Sequence, residues 1–352
     1  MIPKLTIAIC TLGFDSLYKT LESIEQHKGN HHIEILVIGR ADYNRLKGFS
    51  NVRYTSVKFS KGDLVHKRNL AFSLAKSEVI AFIDDDTKIT ADWITNGLKH
   101  FKDKKVGIVS GPGIVPQDSS FNMRLFGNTL ASLGAIPIRA RYRITGKIEE
   151  DKCGDKIIGC NMFIRKNLYG KIKGFNPKII PAEEIDFAHR TIKAGFKVIK
   201  DPNVYLYHYA RSGVYKFVKQ IFRFGMSKSN TLFNGIQPFK PVYALPPLAI
   251  LLAPILLFLS CFILSFKYFT MLCVGLYFIA VLVCSMYSII EDKYLSNIFL
   301  GITIPLMHLS YGLGELYYFF DISYDSQYQC NPSLLYSGQN SILPVLFPAL
   351  QQ

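Results

Sequence analysis

Val79-Ile80-Ala81-Phe82-Ile83-Asp84-Asp85-Asp86 is a run of five apolar side chains that stops abruptly at three acids. An unbroken apolar run of this length reads as a strand buried on both faces. Side chains alternate along a strand, so Asp84 and Asp86 face one side and Asp85 the other. Two carboxylates on one side make a partial oxygen site for Mg2+ or Mn2+, with positions left for phosphate oxygens and water. Three adjacent acids at the end of a buried strand repel one another unless a cation compensates them. A solvated acidic turn is the alternative and avoids much of that repulsion.

Outward from this strand, KLTIAIC (4–10), SLYKTLESIEQ (16–26), IEILVIG (33–39) and LVHKRNLAFSLAK (64–76) alternate strand-like and helical patterns. That rhythm predicts an α/β fold, a mainly parallel sheet flanked by helices. Ligands of such sheets bind beyond the carboxyl ends of the strands, so the polar residues there are the candidates for chemistry. His208 ends the strand-like NVYLYHY (203–209) on the same side as Val204 and Leu206, where a packed imidazole and a ligand read alike. Glu183, Glu184 and Asp186 follow Pro181 at the start of a predicted helix. Acids are favoured there by the free amides and the helix dipole whether or not they act chemically. In Gly159-Cys160-Asn161-Met162, Gly159 lets backbone approach a ligand or marks a bulge in a buried strand. Cys160 reads as a small hydrophobe with no catalytic role.

Residues 1–240 hold 39 of the 41 Lys and Arg and 21 of the 26 acids, so that part carries +18 and the remainder −3. A basic excess serves nucleic acid, an anionic bilayer or phosphorylated substrates. Here it precedes long apolar runs and no zinc-finger spacing occurs, so nucleic acid is not expected. The stretches 243–266, 268–290 and 296–320 each approach the ~20 residues that cross a bilayer, the last interrupted by Pro305, His308 and Glu315. Three crossings place the tail 321–352, which lacks Lys and Arg, opposite the catalytic part. Its apolar run 342–350 is too short to span and suits an interface. Just before the first crossing, Lys216, Lys219, Arg223 and Lys228 mix with Phe217, Val218, Ile221 and Phe222 in a basic amphipathic segment suited to anionic headgroups. The expected organisation is a catalytic domain (1–212), an interface segment (213–240), three membrane helices (241–320) and a non-cytoplasmic tail (321–352). Seven cysteines without a C-x-x-C pair argue against a disulfide framework. The N-terminal MIPKLTIAICTLGFDS lacks a signal-peptide cleavage site, which points to a catalytic part in the reducing cytoplasm of a multi-pass membrane protein.

In KGDLVHKRNLAFSLAKSEVIAFIDDD (61–86), Arg68-Asn69 opens a helix leading into the acidic strand. IIGCNMFIRKNLYGKIKGFNPKIIPAEEIDFAHRTIKAGFKV (157–198) then supplies a G-x-N-M strand, a G-F-N turn, an acidic element and an A-G helix end. In order and spacing, residues 5–230 resemble family 2 of the glycosyltransferases, enzymes of the GT-A fold with a D-x-D element at this strand end. MHLSYGLGELYYFF (307–320) is similar to membrane-bound members. The resemblance implies inverting, metal-dependent transfer of a sugar from a nucleotide-diphosphate sugar to a lipid-linked or saccharide acceptor at the cytoplasmic membrane face, with Mn2+ or Mg2+ as cofactor. It implies Asp86, Asp84 and His208 at the metal, mixed nitrogen and oxygen ligation that suits Mn2+. It implies Thr11, Asp42, Arg68, Asn69, Asp84, Asp85, Gly159, Asn161 and Arg223 around the donor, and Glu184 as the base with Glu183 its rival and Asp186 nearby. Gln220-Ile221-Phe222-Arg223-Phe224 is similar to the Q-x-x-R-W element of processive synthases, with Phe224 in place of Trp. Three crossings are few for a polymer channel, so transfer of single sugars is expected. The family's second strand usually ends in an Asp that reads the nucleotide base; here it ends in Gly39-Arg40, leaving Asp42 or Arg40 for that role. A sugar nucleotidyltransferase is the nearest other chemistry, although IAICTLGFDSLYKT (7–20) lacks its Gly-rich loop. A catalytically silent scaffold that binds nucleotide sugar is the non-enzyme alternative.

Overall fold

The apolar runs form the middle of one sheet because their side chains are buried on both of its faces. The computed structural model describes residues 3–57 and 64–324. In chain order it begins with β1 (Leu5–Thr11), α1 (Ser16–His27), β2 (Ile33–Gly39), α2 (Tyr43–Leu46), β3 (Val52–Ser56), α3 (Leu64–Leu74), β4 (Val79–Asp84), β5 (Thr87–Ile89) and α4 (Trp93–Leu98). Then come β6 (Val106–Ser110), β7 (Gly113–Ile114), α5 (Phe121–Ala131), α6 (Ile136–Tyr142), β8 (Glu149–Glu150), β9 (Asn161–Arg165), α7 (Leu168–Ile172), α8 (Glu183–Lys193), β10 (Lys197–Lys200) and β11 (Leu206–His208). Four longer helices follow: α9 (Val214–Phe233), α10 (Pro241–Phe262), α11 (Leu264–Asp292) and α12 (Leu300–Tyr324).

The main sheet has the order β3-β2-β1-β4-β9-β6-β10-β8. From β3 to β4 all pairs are parallel, as are β6 and β10. β9 is antiparallel to both β4 and β6, so the mainly parallel sheet carries a reversed strand at its centre. A second sheet, β5-β11-β7, stands where β4 ends. On one face of the main sheet Ile7, Ile9, Val37 and Ile83 pack with Leu17, Leu21, Ile24 and Trp93. On the other face Ala8, Leu36 and Phe82 meet Phe72, Leu168 and Phe187. Each such buried Leu, Ile or Phe contributes ~1.5–3 kcal/mol relative to exposure, and together they fix the strand ends that carry the acids.

Among the described residues two helices, α10 and α11, are long and apolar enough to cross a membrane, not the three that the sequence predicts. The third apolar stretch is α12, which packs along α9. A Cβ on Gly225 would lie 2.0 Å from the Tyr311 carbonyl oxygen, and one on Gly314 would lie 2.0 Å from that of Phe222. Small residues of this kind let helix backbones meet. His308 reaches the Gly134 carbonyl (2.8 Å), and Ser310 and Glu315 are buried, so the polar groups of α12 face protein. Phe126 of α5 stacks on Phe217 of α9 (4.5 Å) beside Ile221, Ile304 and Met307. The expected interface segment is therefore largely a packed helix: Lys228 is buried, while Lys216 and Arg223 stay exposed. Of the expected tail, residues from 325 onward, with the run 342–350, lie outside the described residues. Gly314→Val should force α9 and α12 apart and lower stability by ~1–3 kcal/mol, read as an earlier thermal transition in detergent. Gly301→Ala, where a Cβ meets nothing within 4 Å, should leave that transition unchanged.

Candidate active site

The turn from β4 into β5 passes through Asp85 and Asp86, and the pairing of β5 with β11 sets Thr87 opposite His208. The Asp86 carbonyl accepts a hydrogen bond from the Tyr209 amide (3.2 Å). This register brings His208 Nε2 to 3.1 Å from Asp86 Oδ1 and 3.9 Å from Asp84 Oδ2. Asp85 turns the other way and accepts a hydrogen bond from Thr11 Oγ1 (2.5 Å), tying β4 to β1. The acids are thus separated in the way strand alternation predicts, although β4 ends at Asp84 and it is the turn that aims Asp85 and Asp86. His208 Nε2 is buried and has no aligned hydrogen bond among the described residues. A buried imidazole nitrogen facing two carboxylates is a donor set that fits a divalent cation, and its mixed character suits Mn2+. Asp84, Cys160 and His208 also lie close enough to share an ion. However, Cys160 Sγ approaches the far side of the ring, 3.7 Å from Nδ1. Burial pushes its thiol up, while the neighbouring imidazole of His208 pulls the other way. Asp86 therefore completes the set better, and Cys160 orients the ring from behind.

Burial raises the pKa of Asp84, and the neighbouring Asp86 adds to the shift. Burial also raises Asp85, to about 6, against the hydrogen bond from Thr11. For Asp86 burial acts in the same direction, but His208 and Arg211 outweigh it and hold the carboxyl below its ordinary value. Burial opposes charge on His208, yet Cys160 and Asp86 raise it well above the usual imidazole range. The field that holds a proton on this ring also attracts a metal cation in its place. Arg211, not among the expected residues, has Nη1 3.8 Å from Asp86 Oδ2. A single cation three residues beyond His208 carries no sequence pattern that would have found it. Tyr142, Arg211 and Gln220 line a small cavity beside His208.

The acids opening α8 fall into three environments. Glu183 Oε1 accepts from Arg68 Nη1 (3.0 Å), its other oxygen accepts from the Ala182 amide (3.3 Å), and both charged groups are buried. Asp186 pairs with Arg190 at 2.6 Å. Glu184 has no ion-pair partner among the described residues, and burial first, then Glu183, raises its pKa. Of the three it is the one free to take a proton. Ala182 just before them has φ +125°, ψ +20°, a conformation that costs ~1–3 kcal/mol in a residue with a Cβ.

Several residues expected at the donor are engaged within the protein. Asn69 clamps the backbone of Phe175, accepting from its amide (2.8 Å) and donating to its carbonyl (2.9 Å). Asn161 is fully buried, accepting from Trp93 Nε1 (2.9 Å) and donating to the carbonyls of Gly111 (3.0 Å) and Val204 (2.6 Å). A Cβ on Gly159 would lie 2.8 Å from Arg68 Nη2, so the glycine makes room for that guanidinium, which also donates to the Gly159 carbonyl (3.1 Å). Arg223 stands on the exposed side of α9. Thr11 and Asp42 remain at strand ends, Asp42 capping α2 by accepting from the Asn44 amide (2.9 Å). Gly39 has φ +132°, and a Cβ there would meet the Thr11 carbonyl oxygen at 2.0 Å. No side chain fits where the resemblance would place an Asp.

A model of the family described as glycosyl transferase family group 2 matches residues 79–307. The chain belongs to this family. The glycosyltransferase is 31% identical over 91 residues to a dolichyl N-acetyl-alpha-D-glucosaminyl phosphate 3-beta-D-2,3-diacetamido-2,3-dideoxy-beta-D-glucuronosyltransferase of Methanococcus voltae, a stretch spanning 24% of this chain and 28% of that relative. Its fold is similar to that of a mannosyltransferase from Pyrobaculum calidifontis solved with GDP-Man and Mn2+, with a TM-score of 0.59 and 16% identity over 90% of this chain and 88% of the other. The GT-A-type sheet flanked by helices is thus the architecture of this glycosyltransferase. Because Glu184 is raised, its basic form is lost as pH falls through a pKa above the ordinary glutamate value. The acid limb of the kcat profile should accordingly lie above 4.5; a limb at or below it would mean that another group limits the rate.

Proposed function

We propose that the glycosyltransferase moves a single sugar from a nucleotide-diphosphate donor to a lipid-linked or saccharide acceptor, with inversion, at the cytoplasmic face of a membrane. The observation that carries this reading is the convergence of His208 Nε2 on Asp86 and Asp84, with Arg211 beside them. Asp86, Asp84 and His208 hold Mn2+ or Mg2+, which when bound neutralises charge on the departing diphosphate. Asp85, fixed by Thr11, lines the ribose side, and Arg211 adds positive charge near the phosphates. Glu184 takes the proton of the acceptor hydroxyl as that oxygen bonds to the anomeric carbon, and the bond from that carbon to the diphosphate breaks on the opposite face. The Pyrobaculum enzyme's bound GDP-Man and Mn2+ and the dolichyl-linked substrate in the Methanococcus relative's name support the donor, metal and lipid readings. The cations concentrated before α10 support the cytoplasmic face. Two crossings return the chain to the catalytic side, where α12 lies along α9.

Purified protein in lipid extract, given UDP-, GDP- and dTDP-sugars with Mn2+ or Mg2+, should release nucleoside diphosphate only with metal present. Asp86→Asn should abolish that release, and Glu184→Gln should lower kcat ~10²–10⁴-fold with a hydroxyl acceptor. Donor binding without turnover would favour the silent scaffold. A nearly unaffected Glu184→Gln would point to an acceptor that is already ionised, such as a polyprenyl phosphate.

A further inference from the structure

The segment that presents Glu184 is held from outside the catalytic sheet. Ile179, Ala182 and Ile185 form a small apolar cluster with Ile236, which lies just beyond α9. Asn230 of α9, almost fully buried, donates from Nδ2 to the Pro181 carbonyl (3.3 Å). Its Oδ1 accepts from Tyr318 Oη of α12 (2.9 Å) and from Asn234 Nδ2 (2.7 Å). The next residue after Pro181 is Ala182, in the left-handed region at φ +125°. A residue with a Cβ stays there only where its surroundings over-determine it. On the sheet side, Arg68 holds Glu183, which accepts from the Ala182 amide. On the helix side the direct hydrogen bond to this turn comes from Asn230.

We infer that Asn230 is a positioning residue, and that the α9–α12 pair, acting through it, holds the strained Pro181-Ala182 turn and so sets the place of Glu184. The inference rests on the reading of Glu184 as the base. Asn230 and Tyr318 touch no reacting atom in this account. Their loss leaves the donor site at β4 and β11 intact and loosens only the acid on α8. Catalysis that depends on a group's placement is sensitive to shifts well below an ångström or two, whereas donor affinity built elsewhere is not.

The test is Asn230→Ala, with Tyr318→Phe as a milder variant that removes one hydroxyl, read by hydrogen exchange of residues 182–186 and by kcat and KM with the sugar nucleotide selected by the panel above. Asn230→Ala should speed exchange there and lower kcat about 10-fold or more, with donor KM within about twofold; Tyr318→Phe should do the same to a smaller degree. Adding Ala182→Gly to Asn230→Ala should restore much of kcat, since glycine takes this φ without strain. Unchanged exchange, an equal loss in kcat and donor affinity, or no rescue by Ala182→Gly would overturn the inference. If exchange quickens but Glu184→Gln is itself fully active, the base assignment fails and the positioning role falls with it, though the brace is real. If Glu184→Gln is inactive and Asn230→Ala is not impaired, the base assignment stands and the inference fails.

Discussion

Three carboxylates at the end of a strand buried on both faces set the constraint around which the site is arranged. Their mutual repulsion cannot be relieved by moving apart, because β4 is fixed between β1 and β9. It is relieved by distributing the acids. Asp85 is drawn to β1 by Thr11, while Asp84 and Asp86 are left facing His208 and Arg211. The small sheet exists in the right register to do this: Thr87 opposite His208 puts the imidazole beside the acid that precedes Thr87. What results is a concentration of negative charge that is oriented and only partly compensated, the condition under which a divalent cation is taken up.

A second buried charge organises the other side of the cleft. Arg68 is desolvated, and an unpaired guanidinium there would be strongly destabilising, so it occupies both Glu183 and the Gly159 carbonyl. That pairing decides the chemistry of its neighbours. With the Ala182 amide it engages both oxygens of Glu183 within the protein, and it explains Gly159 by space for the guanidinium. With Asp186 held by Arg190, Glu184 is the acid of the three without an ion-pair partner among the described residues. Glu184 thus sits where the catalytic sheet, through Arg68 and Glu183, and α9, through Asn230, both reach the same short turn.

The strands and helices up to β4 were legible because their apolar runs carry a period and are bounded by polar residues. The order of strands was not. Asn161-Met162-Phe163-Ile164-Arg165 is equally apolar whether it runs parallel or antiparallel, and only the path of the preceding 50 residues makes it run backwards between β4 and β6. The acids and His208 were legible as chemistry-bearing types at strand and helix ends. Asn69 and Asn161 were legible by type but not by partner, since a polar side chain within a motif can serve the backbone as readily as a ligand. Arg211 was missed because one cation among many carries no pattern. The third apolar stretch lies along α9, and hydropathy cannot tell lipid from a neighbouring helix; Gly225 and Gly314, which permit the close approach, were the readable hint of that packing.

The claim on which the account most depends is that a cation lies between the acids of β4 and the imidazole of β11. Pulsed electron paramagnetic resonance of Mn2+ added to the full chain, compared with His208→Ala and Asp86→Asn, tests it directly. Bound Mn2+ should show the nitrogen modulation of a directly coordinated imidazole. That modulation should vanish in His208→Ala, and affinity should fall in Asp86→Asn. Mn2+ bound with equal affinity in all three proteins, and without nitrogen coupling in the unaltered chain, would contradict it.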